Sequence, residues 1–199
     1  MTEKLYWADP LATSFEATSA RLAERGGKSS LVLPRTLFYP EGGGQLGDTG
    51  TLAVGAALVV DTQIDADGTI HHLLDGEPGE ALTGALGDPE VVVRGRLDEA
   101  RRRDHMAQHT AQHALSRALA DEARAETVSA RLGASTCTID VAKGALTDAE
   151  VHRAEDVSNA LVTSDVAVEA LHPTPDELAA MPLRKRPTVR EGVRIVSIV

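Results

Sequence analysis

Three histidines recur every four residues in the run His105-Met-Ala-Gln-His109-Thr-Ala-Gln-His113. On a helix each such step turns by only about 40°, so all three fall near one face. Two imidazoles at i and i+4 converge above the same turn, and neutral imidazole suits Zn²⁺. His109 and His113 are therefore the candidate metal pair, with His105 one turn earlier as a group behind them. Unlike HExxH, the run holds no Glu between its ligands to act as a general base. The spacing alone equally allows ordinary core or surface histidines. A second candidate is Leu37-Phe-Tyr-Pro-Glu-Gly-Gly-Gly-Gln-Leu-Gly-Asp48-Thr-Gly50. Gly42, Gly43 and Gly44 permit positive φ and a close approach of backbone to another group. Gln45 and Asp48 flank them with hydrogen-bonding side chains. No Lys-Ser/Thr follows, so this is not a P-loop, and by itself it could be a plain tight turn. Cys137 shares a strand face with Ile139 and Val141 and reads as a small buried hydrophobe. His71 and His72 end a strand, so one is expected to point inward and one outward. No Ser-His-Asp order, nucleophile elbow or dinucleotide fingerprint stands out.

These residues need elements to hold them. Ala57–Ile64 and Thr69–Leu74 flank Asp65-Ala-Asp-Gly68 and predict a hairpin. Lys4–Trp7, Ser30–Leu33 and Val91–Val93 read as strands, Phe15–Arg25 as a short helix, and Gly76–Asp88 as a loop. From Leu97 to about Asp121 there is no Pro or Gly, and Ala, Leu, Arg and Gln predominate. That is a long helix, and it carries the three histidines. Thr127–Leu132 and Ser135–Val141 read as strands around Gly133. Thr147-Asp-Ala-Glu150 is a capping box opening a helix to about Thr163. Thr174-Pro-Asp-Glu177 repeats the signal with Pro at the first helical position. Val193–Val199 alternates like a strand. A β-rich part, 1–93, thus precedes an α+β part, 94–199.

The 199 residues carry 20 Lys and Arg against 30 Asp and Glu, a net charge of −10. The 42% hydrophobic and 25% charged content excludes a disordered chain. One cysteine excludes a disulfide framework. No run is long enough to cross a bilayer, and the start lacks a signal-peptide core, so a cytoplasmic protein is expected. Basic residues concentrate in Arg94–Arg117 and Arg184–Arg194. Such local patches allow an acidic protein to meet nucleic acid, although solvated surface arginine is the commoner use. All five aromatics lie within the first 39 residues. Rows of aromatics stacking on single strands are therefore unexpected, and an RNA ligand would be gripped by charge and shape or by one end.

Together the segments resemble the alanyl-tRNA editing family, which comprises free-standing AlaX-type proteins and the editing region of alanyl-tRNA synthetase. The resemblance runs through Thr2 to Pro10, Phe38 to Gly50, and Arg102 to His113 with its HTAQH. It continues with Thr147 to Glu150 before a helix carrying Asn159, and with Val193-Arg-Ile-Val196. The glycine motif and HTAQH in this order and separation carry it. It implies an α+β fold: a small N-terminal β-barrel-like domain, then a domain like the second additional domain of threonyl-tRNA synthetase. It implies hydrolysis of mischarged Ser- or Gly-tRNA for Ala at a zinc-associated site. His109 and His113 would be the zinc ligands. Thr110 and Gln45 would act on the substrate, and Gly42, Gly43, Gly44 and Asp48 would line the opposite wall. Arg101, Arg102 and Arg103, with Arg184–Arg186, would take phosphates of the acceptor stem. The partner would be tRNA for Ala, with no DNA and no membrane. The family's site has two further ligands in a CxxxH motif after a strand resembling Val193–Val199. No Cys follows Cys137 here and no His follows His172. The expectation is that the natural protein continues past Val199, or that the site is incomplete and holds zinc weakly. The alternatives are a tRNA- or synthetase-binding module without catalysis, and a metal-dependent hydrolase of small aminoacyl esters.

Overall fold

The computed structural model describes residues 2–54, 56–86, 88–183 and 193–198. In chain order the first half comprises β1 (Glu3–Lys4), α1 (Leu5–Ala8), β2 (Ser14–Ala17), β3 (Arg21–Arg25), β4 (Lys28–Val32) and β5 (Arg35–Thr36). It continues with β6 (Gly50–Leu52), β7 (Ala57–Ile64), β8 (Ile70–Leu74), α2 (Glu80–Ala85) and β9 (Val93–Leu97). Seven strands form one antiparallel sheet in the order β2-β9-β6-β7-β8-β4-β3. Its edges, β2 and β3, do not pair with each other, so the sheet stays open and the expected barrel-like closure is not found. β1 and β5 form a separate parallel pair.

The helix expected over Phe15–Arg25 is instead the two strands β2 and β3. Phe15 and Ala17 are buried while Ser14 and Glu16 are exposed, a period of two that pairing with β9 exploits. Ser19, at φ 54, breaks the segment between them. Three other expectations shift. Leu5–Ala8 turns into one helical turn, α2 forms inside the expected loop with Leu82 buried, and the strand expected at Val91–Val93 begins at Val93. The core beneath the sheet gathers Leu31, Leu33, Phe38, Leu52, Val59 and Val93, all at most 1% exposed. His71 and His72 are both buried, against the inward–outward expectation. His72 Nδ1 donates to the Leu31 carbonyl at 2.8 Å, which leaves Nε2 to accept from the Thr36 hydroxyl at 2.8 Å. The Ser30 hydroxyl and the Asp65 carboxylate hold His71, each at 3.0 Å.

The second half comprises α3 (Glu99–Ala123), β10 (Thr127–Leu132), β11 (Cys137–Val141), α4 (Asp148–Thr163), β12 (Val168–Leu171), α5 (Pro175–Ala180) and β13 (Ile195–Ile198). Asp98 caps α3 by accepting from Arg101 N, and Arg124 ends the helix in a left-handed conformation at φ 51. Both expected capping boxes form, at Thr147 with Glu150 and at Thr174 with Glu177. β10 and β11 pair antiparallel beside α3, and β12 pairs with β13. A second core of Ala118, Leu119, Ala123, Ala125 and Ala154 lies between α3 and α4. Alanine at these positions lets the two helices approach closely. Among the described residues no helix is long and apolar enough to cross a membrane.

Candidate active site

The glycine run folds back on α3. Gly42 N donates to the Gln45 carbonyl at 3.0 Å, and Gln45 N returns the bond at 3.1 Å. Gly43 and Gly44 between them have φ 62 and 84, a mirror-image turn that glycine adopts without steric cost. A Cβ on Gly43 would lie 3.6 Å from His109 Cε1, so the turn rests against that imidazole. Behind it the Gly44 carbonyl accepts from Leu132 N at 2.9 Å. A Cβ on Gly44 would meet the Ala130 carbonyl oxygen at 2.8 Å. The turn is thus wedged between α3 and β10, and the triple glycine is needed for room as well as for conformation.

The next residue reaches the histidine directly. Gln45, 5% exposed, places its amide oxygen 2.9 Å from His109 Nδ1. An amide oxygen only accepts, so Nδ1 carries the proton and Nε2 keeps its lone pair. Burial lowers the His109 pKa, and the neighbouring His113 and Arg194 lower it further. The ring is therefore neutral near pH 7, as a metal ligand must be. His109 and His113 stack with centroids 5.0 Å apart and planes 20° from parallel, as helical spacing predicts. Thr110 donates its hydroxyl hydrogen to the Met106 carbonyl at 3.0 Å, so toward any ligand its oxygen acts as an acceptor. His105 is buried, and its Nδ1 has no hydrogen-bond partner. Burial lowers its pKa as well, with Arg101 adding to the effect.

Asp48 and Arg102, expected as substrate contacts, are turned toward each other in the interior. Their side chains are 1% and 5% exposed. The Arg102 Nε approaches both Asp48 oxygens at 3.2 and 3.0 Å, and a second Arg102 nitrogen closes the pair. Arg102 also donates to the Pro10 carbonyl at 3.0 Å and the Leu37 carbonyl at 2.5 Å. Asp48 accepts in addition from Tyr39 N at 2.6 Å. Arg101 grips the Gly47 carbonyl at 3.2 and 3.0 Å. Of the three arginines only Arg103 is an exposed side chain, and it pairs with Glu99 one turn away. So Arg101 and Arg102 fasten the glycine segment to α3. Arg184–Arg186 lie outside the described residues.

Cys137 is exposed rather than buried, and its thiol donates to Gln108 Oε1 at 2.9 Å. The hairpin of β10 and β11 presents it toward α3 instead of folding its face inward. Sequence reasoning missed Arg194. It stands at the lead into β13, and its charge acts on His109, Tyr39 and Tyr6 together. The only available signal was its place in the basic run at 184–194. Sequence reasoning also gave the early aromatics no role. Tyr6 and Tyr39 meet edge to face at 5.3 Å, and Tyr39 donates its hydroxyl to the Gly42 carbonyl at 3.3 Å. The stacked pair of imidazoles, His109 neutral and oriented through Nδ1 by a buried amide, suits a borderline-soft divalent cation such as zinc. Among the described residues no third His, Cys, Asp or Glu completes a cluster with them.

The comparisons with known proteins bear on this arrangement. Residues 10–93 match the family model for class II (A) tRNA synthetases. Over 172 residues the chain is 34% identical to the alanyl-tRNA editing protein AlaX-M of Methanosarcina mazei, covering 84% of this chain and 66% of the relative. The chain belongs to the alanyl-tRNA editing family. The alanyl-tRNA editing protein AlaX-L of Pyrococcus horikoshii is 32% identical over 202 residues, covering all of this chain and 48% of that protein. The alanine–tRNA ligase of Natronomonas pharaonis is 36% identical over 190 residues, 90% of this chain and 19% of the ligase. The chain thus spans between a fifth and two thirds of the length of these relatives.

Proposed function

We propose that the chain hydrolyses the aminoacyl ester of mischarged tRNA, removing Ser or Gly from tRNA for Ala, at the site beneath the glycine turn. The observation that carries this reading is the buried Gln45 oxygen 2.9 Å from His109 Nδ1, which orients a neutral imidazole against an open backbone turn. Membership of the editing family supports it. On this reading the second half of the chain is the editing domain, akin to the second additional domain of threonyl-tRNA synthetase. His109 and His113 would hold a zinc ion, which when bound would polarise the ester carbonyl or the attacking water.

The chain's own groups account for the rest. An aminoacyl ester is already activated, so the protein must chiefly orient it and admit water. Gln45 fixes the His109 ring, and the amides of Gly43 and Gly44 shape the opposite wall. Thr110, its proton committed to Met106, offers an acceptor to the hydroxyl of a seryl group. An alanyl group has no hydroxyl to donate there, which separates Ser from Ala. Arg103, exposed on the first turns of α3 and paired there with Glu99, would meet a backbone phosphate. The test is deacylation of Ser-, Gly- and Ala-tRNA for Ala by the purified chain, with metal analysis of the same sample. Faster release of Ser than of Ala, abolished by H109A/H113A, supports the reading. tRNA binding without turnover would make the chain a binding module. Turnover of free esters without a preference for tRNA would make it a small-ester hydrolase.

A further inference from the structure

Several described arginines answer a carboxylate: Arg25 to Asp65, Arg94 to Glu16, Arg103 to Glu99 and Arg117 to Asp121. Arg102 is matched by Asp48. Arg194 is different. It is partly buried, its Nε is fully buried with no hydrogen-bond partner, and no described carboxylate forms an ion pair with it. Its charge is felt by the His109 imidazole and by the phenols of Tyr39 and Tyr6. Neither imidazole nor phenol neutralises a guanidinium. The nearby Asp48 carboxylate is already engaged by Arg102 and by Tyr39 N. A guanidinium nitrogen taken out of water without an acceptor costs free energy, so the enclosed Nε marks a missing partner. The partner that fits is an oxygen anion, which a planar guanidinium receives through paired donors.

We propose that Arg194 is a substrate-binding residue that receives an anionic oxygen of the ligand beside His109, namely the phosphodiester of the terminal nucleotide. This rests on the reading of the site as one for aminoacyl-tRNA. The half-buried ring of Tyr39, tied to Gly42, lies in the same neighbourhood and offers an apolar wall to the attached nucleoside. A second source of anionic oxygen is the ester carbonyl as water adds to it, so the experiment separates the two.

Binding of the dinucleotide CpA, which carries one phosphodiester, and of adenosine, which carries none, is measured by calorimetry on the full chain. The proteins are wild type, R194K and R194M, each checked by thermal melting. R194M is expected to lose about tenfold to a hundredfold in CpA affinity, the usual worth of a charge-assisted hydrogen bond. Adenosine affinity should not change, and R194K should recover part of the loss. The same proteins are then assayed on seryl esters of CpA and of adenosine. A rise in KM confined to the CpA ester supports the phosphodiester assignment. An equal loss in kcat on both esters, with CpA binding intact, would assign Arg194 to the carbonyl oxygen and overturn the phosphodiester. Unchanged CpA binding and unchanged turnover in R194M would overturn the proposal altogether. If wild type hydrolyses neither ester, the editing reading fails, and the CpA titration still decides whether Arg194 holds a phosphate.

Discussion

Replacing Arg102 with methionine would expose how the site is held. The substitution keeps most of the buried stem but removes a guanidinium whose partner, Asp48, is 1% exposed. The carboxylate would retain Tyr39 N as its donor, and the Pro10 and Leu37 carbonyls would each lose one. Breaking a buried pair and stranding one charge typically costs about 3–5 kcal/mol. That is a large part of the 5–15 kcal/mol that holds a typical domain together. For a chain of this size it corresponds to roughly 6–20 °C in melting temperature. The effect should also reach the chemistry. Asp48 and Gly47 are the points where α3 grips the glycine segment, and Gln45 sits only two residues before Gly47. Loosening that grip should therefore cost His109 its Gln45 contact. The companion variant D48L/R102M removes both charges and should recover much of the stability, because no unpaired charge remains buried. Urea unfolding of wild type, both single variants and the double variant forms the cycle. If R102M unfolds within about 1 kcal/mol of wild type, the reasoning that the buried pair fastens the loop is refuted.

Four other outcomes follow. Burial pushes the His72 pKa down to about 4 from an ordinary value near 6.5, so the folded state resists a proton that the unfolded chain accepts. Stability from this residue is complete above pH 6.5 and falls by about 3 kcal/mol as pH drops toward 4; H72Q should lose that slope in unfolding midpoints, and an unaltered slope would count against it. G43A should cost only the left-handed backbone, about 1–2 kcal/mol, whereas G44A adds a clash with the Ala130 carbonyl, so equal melting temperatures would contradict the wedged turn. H109A/H113A should abolish the weak zinc binding that titration of the purified chain reads, without unfolding the protein, and unchanged zinc binding would point to other ligands. The exposed Cys137 thiol should react with a maleimide in the folded protein nearly as fast as in denaturant, and strong protection would restore the buried reading.

The helix with its histidines was readable because α3 has no Pro or Gly and a regular spacing of four. Both capping boxes were readable because their chemistry is local. The segment after Pro10 was misread because alanines at helical spacing outweighed a shorter period-two signal at Phe15 and Ala17. Gly26-Gly27 should have corrected it: at φ 59 and 75 they make the tight turn between β3 and β4, a hairpin signal standing in plain view. The contact of the glycine turn with the histidine helix was expected from resemblance, but Gln45 was expected on the substrate, and its bond to the His109 ring was not legible. The roles of Asp48 and Arg102 were not legible. A carboxylate and a guanidinium 54 residues apart look alike in sequence whether they meet each other or a ligand. Only burial distinguishes those cases, and burial is a property of the whole fold. Arg194 was hidden for the same reason, since an arginine within a basic run gives no sign that one of its atoms is enclosed.

The bonds that build this site join distant parts of the chain. His109 meets Gln45 across 64 residues, and Arg102 meets Leu37 and Pro10 across 65 and 92. Local structure forms quickly, but closing such long loops must wait until a sheet and a helix already exist to dock. The site is therefore expected to assemble late in folding. Helix α3 needs only local contacts to form, whereas the site needs residues from both halves. The site is complete only when the glycine turn settles onto the helix, so recovery of the Gln45–His109 contact during refolding would time the docking of the two halves.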